Sequence, residues 1–205
     1  MRRTLLAATA GLSLAGLLAV SSAHAQTTDV GGVKYDNTAR VAGETLQLNG
    51  AGIRYKAVFK VYTAGLYLKD KASTPEAALA APGPKRIHIV MLREIDGNEL
   101  GKLFTKGIQD NSTRDEFAKS IPGTIRMGEI FSTRKKLAAG ENFSVEFVPN
   151  TGTTVLLNGK PMGDPIKEPE FFTGLMRIWL GKSPADSNLK DLLLGHKPQA
   201  RTTEN

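Results

Sequence analysis

The chain contains no cysteine, which excludes disulfides, cysteine lipidation and thiolate metal sites. Aromatic residues make up only 6% of the sequence, and it has no basic, aromatic-rich tract of the kind that stacks nucleobases, so nucleic acid is not an expected partner. Beyond the amino terminus no apolar run approaches the roughly 20 residues that a spanning helix needs, so stable membrane insertion is not expected. The fold must therefore be stabilised by its hydrophobic core alone.

Metal-ligating and nucleophilic patterns are also scarce. Outside the first 25 residues the sequence has two histidines, His88 and His196, and neither has a carboxylate at metal-ligand spacing. No serine lies in a nucleophile-elbow pattern. The sequence therefore predicts no metal site and no cofactor, and His88 is interpreted as a hydrogen-bonded strand residue.

The amino terminus has the pattern of a secretory signal peptide. Arg2 and Arg3 precede an apolar run from Leu5 to Val20, and Ala23-His24-Ala25 is a small-residue cleavage site. Residues 1–25 are predicted to be removed by cleavage after Ala25, which places the mature protein in the periplasm.

The remaining chain is predicted to be one domain over residues 26–195, because no linker or internal repeat divides it. Residues 196–205 are predicted to be a disordered tail. Losing Arg2 and Arg3 lowers the net charge from +7 to +5, and the remaining basic residues are scattered among acidic ones. This mild charge could favour anionic ligands or an anionic membrane surface.

Hydrophobic periodicity predicts an α+β fold, with helices packed on one face of a mainly antiparallel sheet. The predicted strands are Val33–Tyr35, Thr45–Leu48, a run around Ile53, Val58–Leu68, Arg86–Leu92, Asn142–Val148 and Thr153–Leu157. Tight turns are predicted at Asn49-Gly50 and Asn158-Gly159. The predicted helices are Pro75–Ala81, Asn98–Gln109, one or two helices on the stripe Phe117, Ile121, Ile125 and Phe131 with Pro122 opening the second, the stripe Phe171–Trp179, and Leu189–Leu193. The run Val61–Leu68 is apolar or aromatic on both faces, which indicates a central strand.

The stretch from Leu48 to Lys69 also suggests a ligand site. It places Arg54 and Tyr62 within an otherwise apolar pattern of two strands. A cation buried there must meet an anion or strong acceptors, because an unpaired charge in an apolar interior costs several kcal/mol. No acidic residue lies between Gly50 and Lys69, so a bound anion is the favoured partner, although a remote carboxylate such as Glu94 or Glu146 would instead make a structural ion pair.

The same stretch resembles a known family. Gly50-Ala51-Gly52-Ile53-Arg54 and the run Phe59–Leu68 are similar to the first signature of the chalcone isomerase-like family. Leu157–Lys160 and the segment from Ile178 to Gly195 resemble the exported bacterial branch, so the likeness spans nearly the whole mature chain. It implies an open-faced β-sandwich of the chalcone isomerase type.

Two activities follow from that resemblance, since the fold serves isomerases that act on an enone and proteins that bind fatty acids. In the isomerases an arginine matched by Arg54 stabilises phenolate charge, a threonine lies on the following strand, and a tyrosine lies on the central helix. Here the helix Asn98–Gln109 has no tyrosine, and Tyr62 stands at the threonine position. This agrees better with the fatty-acid-binding branch, where an arginine and a tyrosine hold the carboxylate.

The predicted function is therefore exported, non-catalytic binding of a small apolar or amphipathic acid such as a fatty acid, through Arg54 and Tyr62. The predicted lining of the apolar cavity is Leu100, Leu103, Phe104, Phe171, Leu175 and Met176, although the same stripe would equally serve as core. The alternative is an intramolecular lyase or isomerase with Arg54 stabilising oxyanion charge and Tyr62 or Thr63 as proton donor. A third reading is an accessory protein of an envelope complex, which would expose an apolar patch. The sequence identifies no protein partner.

Overall fold

The computed structural model describes residues 26–198. The predicted signal peptide lies outside the described residues, as does the part of the predicted tail that follows residue 198. The strands are β1 Thr27–Val30, β2 Val33–Asp36, β3 Thr38–Val41, β4 Glu44–Lys56, β5 Phe59–Leu68, β6 Lys85–Met91, β7 Ile95–Asp96, β8 Lys136–Leu137, β9 Asn142–Val148, β10 Gly152–Leu157 and β11 Lys160–Pro161. The helices are α1 Pro75–Ala80, α2 Gly97–Asp110, α3 Arg114–Ser132, α4 Pro169–Leu180 and α5 Ser187–Leu193.

Seven strands form one curled, fully antiparallel sheet in the order β11-β10-β9-β6-β5-β4-β3. The α+β class and the antiparallel sheet are thus confirmed. β5 lies between β4 and β6, and its last eight residues are all buried, as its two apolar faces predict. Within the described residues, no helix is both long enough and apolar enough to cross a membrane.

Helices α2, α3 and α4 cover one face of the sheet and form the main core with it. An aromatic cluster lies at its centre: the ring centroid of Phe104 is 5.3 Å from that of Phe131, 5.7 Å from that of Phe143 and 6.3 Å from that of Trp179. The contacts of Phe104 with Phe143 and Trp179 are edge-to-face, and such contacts add stability beyond the area that the rings bury. A ligand cavity is therefore expected on this face of the sheet, between the sheet and the helices.

The other face of the sheet carries a smaller core under the β1–β2 hairpin. The Tyr35 ring of β2 lies directly on Gly65 of β5, where an added Cβ would come within 2.6 Å of the ring. The Tyr35 hydroxyl donates to Thr63 Oγ1 at 2.8 Å. A glycine in the middle of the central strand thus makes room for an aromatic side chain from the hairpin.

The predicted turn at Asn49-Gly50 is wrong, because both residues lie inside the continuous strand β4. The Asn49 side chain accepts from the Ala72 backbone N–H at 2.7 Å and donates to the carbonyls of Ala72 and Leu193 at 2.8 and 2.7 Å. Gly50 lets the end of α5 approach, since a Cβ there would lie 2.0 Å from the Leu192 carbonyl oxygen. The pair marks an irregularity in the β4–β5 register rather than a reversal of the chain.

The predicted start of a second helix at Pro122 is also wrong. α3 is one helix with Pro122 inside it, and Ile121 and Ile125, predicted to face the core, are 40% and 58% exposed. Its buried residues are Ser120, Gly123, Thr124, Met127, Ile130 and Phe131. Packing of this face against α2 and α4 compensates for the backbone hydrogen bond that proline cannot make.

Other sequence predictions are confirmed. Asn158 and Gly159 both have positive φ, at 47° and 77°, and turn the chain from β10 into β11, as an Asn-Gly pair favours. Gly181 caps α4, and Gly195, with a φ of 77°, follows the end of α5. His88 lies in β6, where its Nδ1 is 2.8 Å from Ser144 Oγ.

The Asn49→Ala variant is expected to lower the free energy of unfolding by about 3 kcal/mol, since it leaves buried backbone groups of Ala72 and Leu193 without partners. Denaturant unfolding followed by circular dichroism measures this loss. Asn98→Ala is the matched control: Asn98 is exposed at the start of α2, and its replacement is expected to change stability by less than about 0.5 kcal/mol. Equal effects of the two substitutions would contradict the structural role of Asn49.

Stability is expected to fall as the pH falls from about 6.5 to about 4, because burial, and to a smaller extent Arg86, lowers the pKa of His88 from 6.5 to about 4. In that window the unfolded chain takes up a proton that the folded histidine rejects, which favours unfolding by up to about 3 kcal/mol. Burial raises the pKa of Glu146, so this residue favours folding as the pH falls. Because Glu146 is present in both the parent and the His88 variant, its effect cancels when the two are compared. Unfolding curves of the parent and of His88→Gln at several pH values should therefore diverge below about pH 6.5, and parallel curves would contradict this role of His88.

Candidate functional site

Arg54 and Tyr62 are paired across β4 and β5. The Arg54 Cζ lies 5.6 Å from the centroid of the Tyr62 ring, a distance at which guanidinium and aromatic face attract each other. An irregularity in register follows directly between Arg54 and Tyr55. The structure thus brings together the two residues on which the predicted site depends.

This pair borders a cavity of about 210 Å³ between the sheet and the helices. The sheet side of the cavity comes from β4, β5 and β6, and the helix side from α2 and α4 with the loop between α4 and α5. The lining residues are Arg54, Val61, Tyr62, Met91, Ile95, Leu100, Leu103, Phe104, Lys106, Gly107, Asp110, Ile178, Ser183, Pro184 and Ala185. Most of these side chains are apolar, so the cavity suits an apolar body with one polar end.

The polar groups at the solvent side of the cavity are already paired. Lys106 Nζ lies 2.8 Å from an Asp110 carboxylate oxygen, one helical turn away on α2. Both side chains are well exposed, at 71% and 43%. Leu103, which lies between the buried Leu100 and the exposed Lys106 on α2, is 38% exposed. The opening of the cavity therefore lies along this part of α2.

Arg54 forms no ion pair within residues 26–198, although Asp186 accepts from the backbone N–H of the neighbouring Tyr55 at 2.9 Å. Its Nε is buried and makes no hydrogen bond. Glu94 pairs with Lys136 at 2.7 Å, and Glu146 pairs with Arg86 at 3.5 Å. Neither of the carboxylates considered from the sequence thus forms the structural ion pair that would explain Arg54 without a ligand.

Tyr62 is held as a neutral hydrogen-bond donor. The Trp179 indole Nε1 donates to its hydroxyl oxygen at 2.8 Å, inside the core. Because the indole N–H can only donate, the phenol accepts from Trp179 and keeps its own proton for another acceptor. Burial raises the pKa of Tyr62 to about 12, although Arg54 and the Trp179 hydrogen bond act in the opposite direction, so the proton stays on the phenol at neutral pH.

The remaining predicted residues divide into two sets. Leu100, Leu103 and Phe104 of α2 line the cavity with Arg54 and Tyr62. The other predicted contacts do not line it: Phe171, Leu175 and Met176 are buried in the main core, and Thr63 is bonded to Tyr35 under the β1–β2 hairpin.

The direction of α4 explains why its predicted residues miss the cavity. The Phe171 ring lies against Gly123 of α3, where an added Cβ would come within 2.5 Å of it, so the first half of α4 faces α3. The second half reaches the cavity through Ile178, and Trp179 binds Tyr62. The helical stripe in the sequence identifies the buried face of α4 but not which half of that face borders the site.

Sequence reasoning also missed lining residues outside α4. Val61, Met91 and Ile95 belong to strands or strand ends, and the segment from Ser183 to Ala185 belongs to a loop. Val61 is next to Tyr62 in the sequence and the segment from Ser183 to Ala185 follows α4, whereas Met91 and Ile95 are distant in sequence from Arg54, Tyr62 and α4. No group of three or more metal-ligating side chains occurs among the residues that the structure describes.

Removal of the unpaired cation should stabilise the empty protein. Arg54→Met is expected to raise the free energy of unfolding by about 1 kcal/mol, since it replaces a half-buried guanidinium that has an orphaned Nε with an apolar chain. The matched variant Arg86→Met is expected to lower it by about 2 kcal/mol, because it breaks contacts with Glu146 and Ser144. Thermal and denaturant unfolding measure both, and destabilisation by Arg54→Met would show that Arg54 has a structural partner.

The fold agrees with that of known proteins. The profile of a family described as chalcone isomerase-like matches residues 27–195. A search of curated proteins gives no significant sequence match. The crystal structure of a fatty-acid binding protein of Arabidopsis thaliana superposes with a TM-score of 0.65 at 13% sequence identity, over 80% of this chain and 92% of that one. The structural likeness shows the same fold, and the family profile, which matches most of the chain, shows that the chain belongs to the chalcone isomerase-like family.

Proposed function

We propose that the protein is an exported, periplasmic binding protein for a fatty acid or a similar small amphipathic acid, and that it does not transform its ligand. One observation carries the proposal: the Arg54 guanidinium, with a buried and unsatisfied Nε, lies 5.6 Å from the centroid of the neutral Tyr62 ring at the edge of an apolar cavity. A carboxylate is the simplest group that satisfies both donors.

The chemistry of the pair fits a carboxylate head. A guanidinium offers parallel N–H donors that match two carboxylate oxygens, and such charge-assisted bonds are about twice as strong as neutral ones. The Tyr62 proton is free for a further hydrogen bond, because Trp179 occupies only its oxygen. The phenol therefore adds a neutral donor to the cationic one without adding charge.

The cavity behind this pair supports an apolar chain of limited length. Its volume of about 210 Å³ is below the range of roughly 300–1,000 Å³ that is usual for drug-sized ligands. A short chain fits between Leu100, Phe104 and Ile178. A longer chain would extend through the opening along α2, past Leu103.

The likeness to a fatty-acid binding protein supports the same proposal at the level of fold. Arg54 beside a protonated Tyr62 would also suit an isomerase, since both groups could stabilise an enolate or phenolate oxyanion as it forms. In that alternative Tyr62 is the proton donor that remains beside Arg54, because Thr63 is occupied on the opposite face of the sheet. The two functions differ in whether the ligand leaves unchanged.

Native mass spectrometry of the mature protein, followed by extraction and identification of bound acids, tests the proposal. Arg54→Ala is expected to weaken fatty-acid binding by about 10- to 100-fold, because it removes a charge-assisted hydrogen bond of about 1.5–3 kcal/mol. Arg54→Lys should fall between parent and Arg54→Ala, since lysine keeps the charge but loses the fork. Titration with fatty acids of increasing chain length measures all three.

Arg40→Ala is the control for a general loss of positive charge, since Arg40 is exposed on β3 and should leave the affinity unchanged. A parent protein that carries no acid and takes up none would overturn the binding proposal. Turnover of an enone by the parent, lost in Arg54→Ala, would instead establish the isomerase.

A further inference from the structure

The turn between β4 and β5 exposes two large apolar side chains. Val58 is 82% exposed and Phe59 is 59% exposed, the highest values among the exposed large hydrophobic residues that the structure describes. They lie at the end of the longest pair of strands in the sheet, where Lys56 pairs with Phe59. We call the segment Lys56–Lys60 the tip.

Positive charge surrounds this apolar pair. Lys56 and Lys60 flank it in the sequence and are exposed. Arg93, which follows β6, places its Cζ 5.3 Å from the centroid of the Phe59 ring. None of these three cations forms an ion pair within residues 26–198, and the nearby carboxylate of Glu94 is neutralised by Lys136 at 2.7 Å.

The tip continues directly from the candidate site. Arg54 precedes Lys56 by two residues, and the cavity-lining Val61 follows Lys60. The backbone of Leu92, next to Arg93, is hydrogen-bonded to Val61 at 3.0 Å. The tip and the cavity therefore occupy the same end of the sheet.

We infer that the tip is a docking surface for an anionic phospholipid membrane. Exposed apolar side chains that enter the interface, with lysine and arginine held at the level of negative headgroups, are the combination by which peripheral proteins bind such membranes. The charge distribution favours this occupant over a protein partner, because unpaired cations ring the apolar pair and no free carboxylate is seen beside it among the described residues. The inference goes beyond ligand binding in the cavity and does not depend on it.

Co-sedimentation of the mature protein with vesicles tests the inference. Vesicles of an equimolar mixture of phosphatidylcholine and phosphatidylglycerol are compared with vesicles of phosphatidylcholine alone, at low and high salt. The parent is expected to bind the anionic vesicles more strongly, and salt should weaken that binding because it screens exposed charges. Lys56→Gln with Lys60→Gln should weaken binding by about fivefold per cation removed.

The double variant Val58→Ser with Phe59→Ser is expected to lose at least as much vesicle binding as the double lysine variant. Its matched control is Ile121→Ser with Ile125→Ser, which removes an exposed apolar pair on α3 and should leave vesicle binding unchanged. All these residues lie outside the cavity lining. Circular dichroism and thermal unfolding of each variant report that it is folded, and fatty-acid binding is measured separately, so that a failure here is distinguished from a failure of the proposed function.

Absence of vesicle binding by the parent would overturn the inference, as would equal binding by parent and tip variants. Capture of an envelope protein by a photo-crosslinker at position 58, without vesicle binding, would also overturn it and assign the tip to a protein interface.

Discussion

The hydrogen bond from the Trp179 indole to the Tyr62 hydroxyl joins α4 to the central strand, and the shape of the candidate site depends on it. It spans 117 positions of sequence inside the core, so the carboxyl-terminal third of the chain must dock before the cavity exists. The same bond gives the phenol its orientation, because a donor-only partner leaves the phenolic proton for a ligand. Fold and binding chemistry therefore share one contact.

Whereas the Trp179–Tyr62 bond stabilises the fold, Arg54 at the same site tends to lower its stability. A cation on a strand that packs against the most buried strand of the sheet lowers stability unless an anion accompanies it. The two glutamates considered from the sequence, Glu94 and Glu146, are paired instead with Lys136 and Arg86. A residue that lowers stability in this way is common at sites that are organised for a ligand rather than for stability alone.

The sequence was a good guide wherever a segment's own pattern decides its structure. The two-sided apolar run of β5, the stripe of α4 and the Asn158-Gly159 turn are local signals, and the pairing of Arg54 with Tyr62 follows from adjacent strands. Predictions failed where a distant contact decides. The strand continues through Asn49-Gly50 because the carbonyl of Leu193, 144 positions away, accepts a hydrogen bond from the Asn49 side chain. Likewise, the hydrophobic periodicity of α4 does not reveal which half of that helix reaches the cavity. The sequence thus identified the apolar stripes of α2 and α4 from which the cavity is lined, but not which residues of those stripes line it.

Trp179 is the only tryptophan in the sequence, and its ring nitrogen is bound to a hydroxyl that borders the cavity. Any acid that engages the Tyr62 proton polarises this phenol, and through it the excited state of the indole. Under the proposed function the molecule would therefore carry an optical reporter of its own occupancy: a single tryptophan, shielded from bulk solvent, whose fluorescence spectrum and lifetime should respond to what binds the Tyr62 hydroxyl.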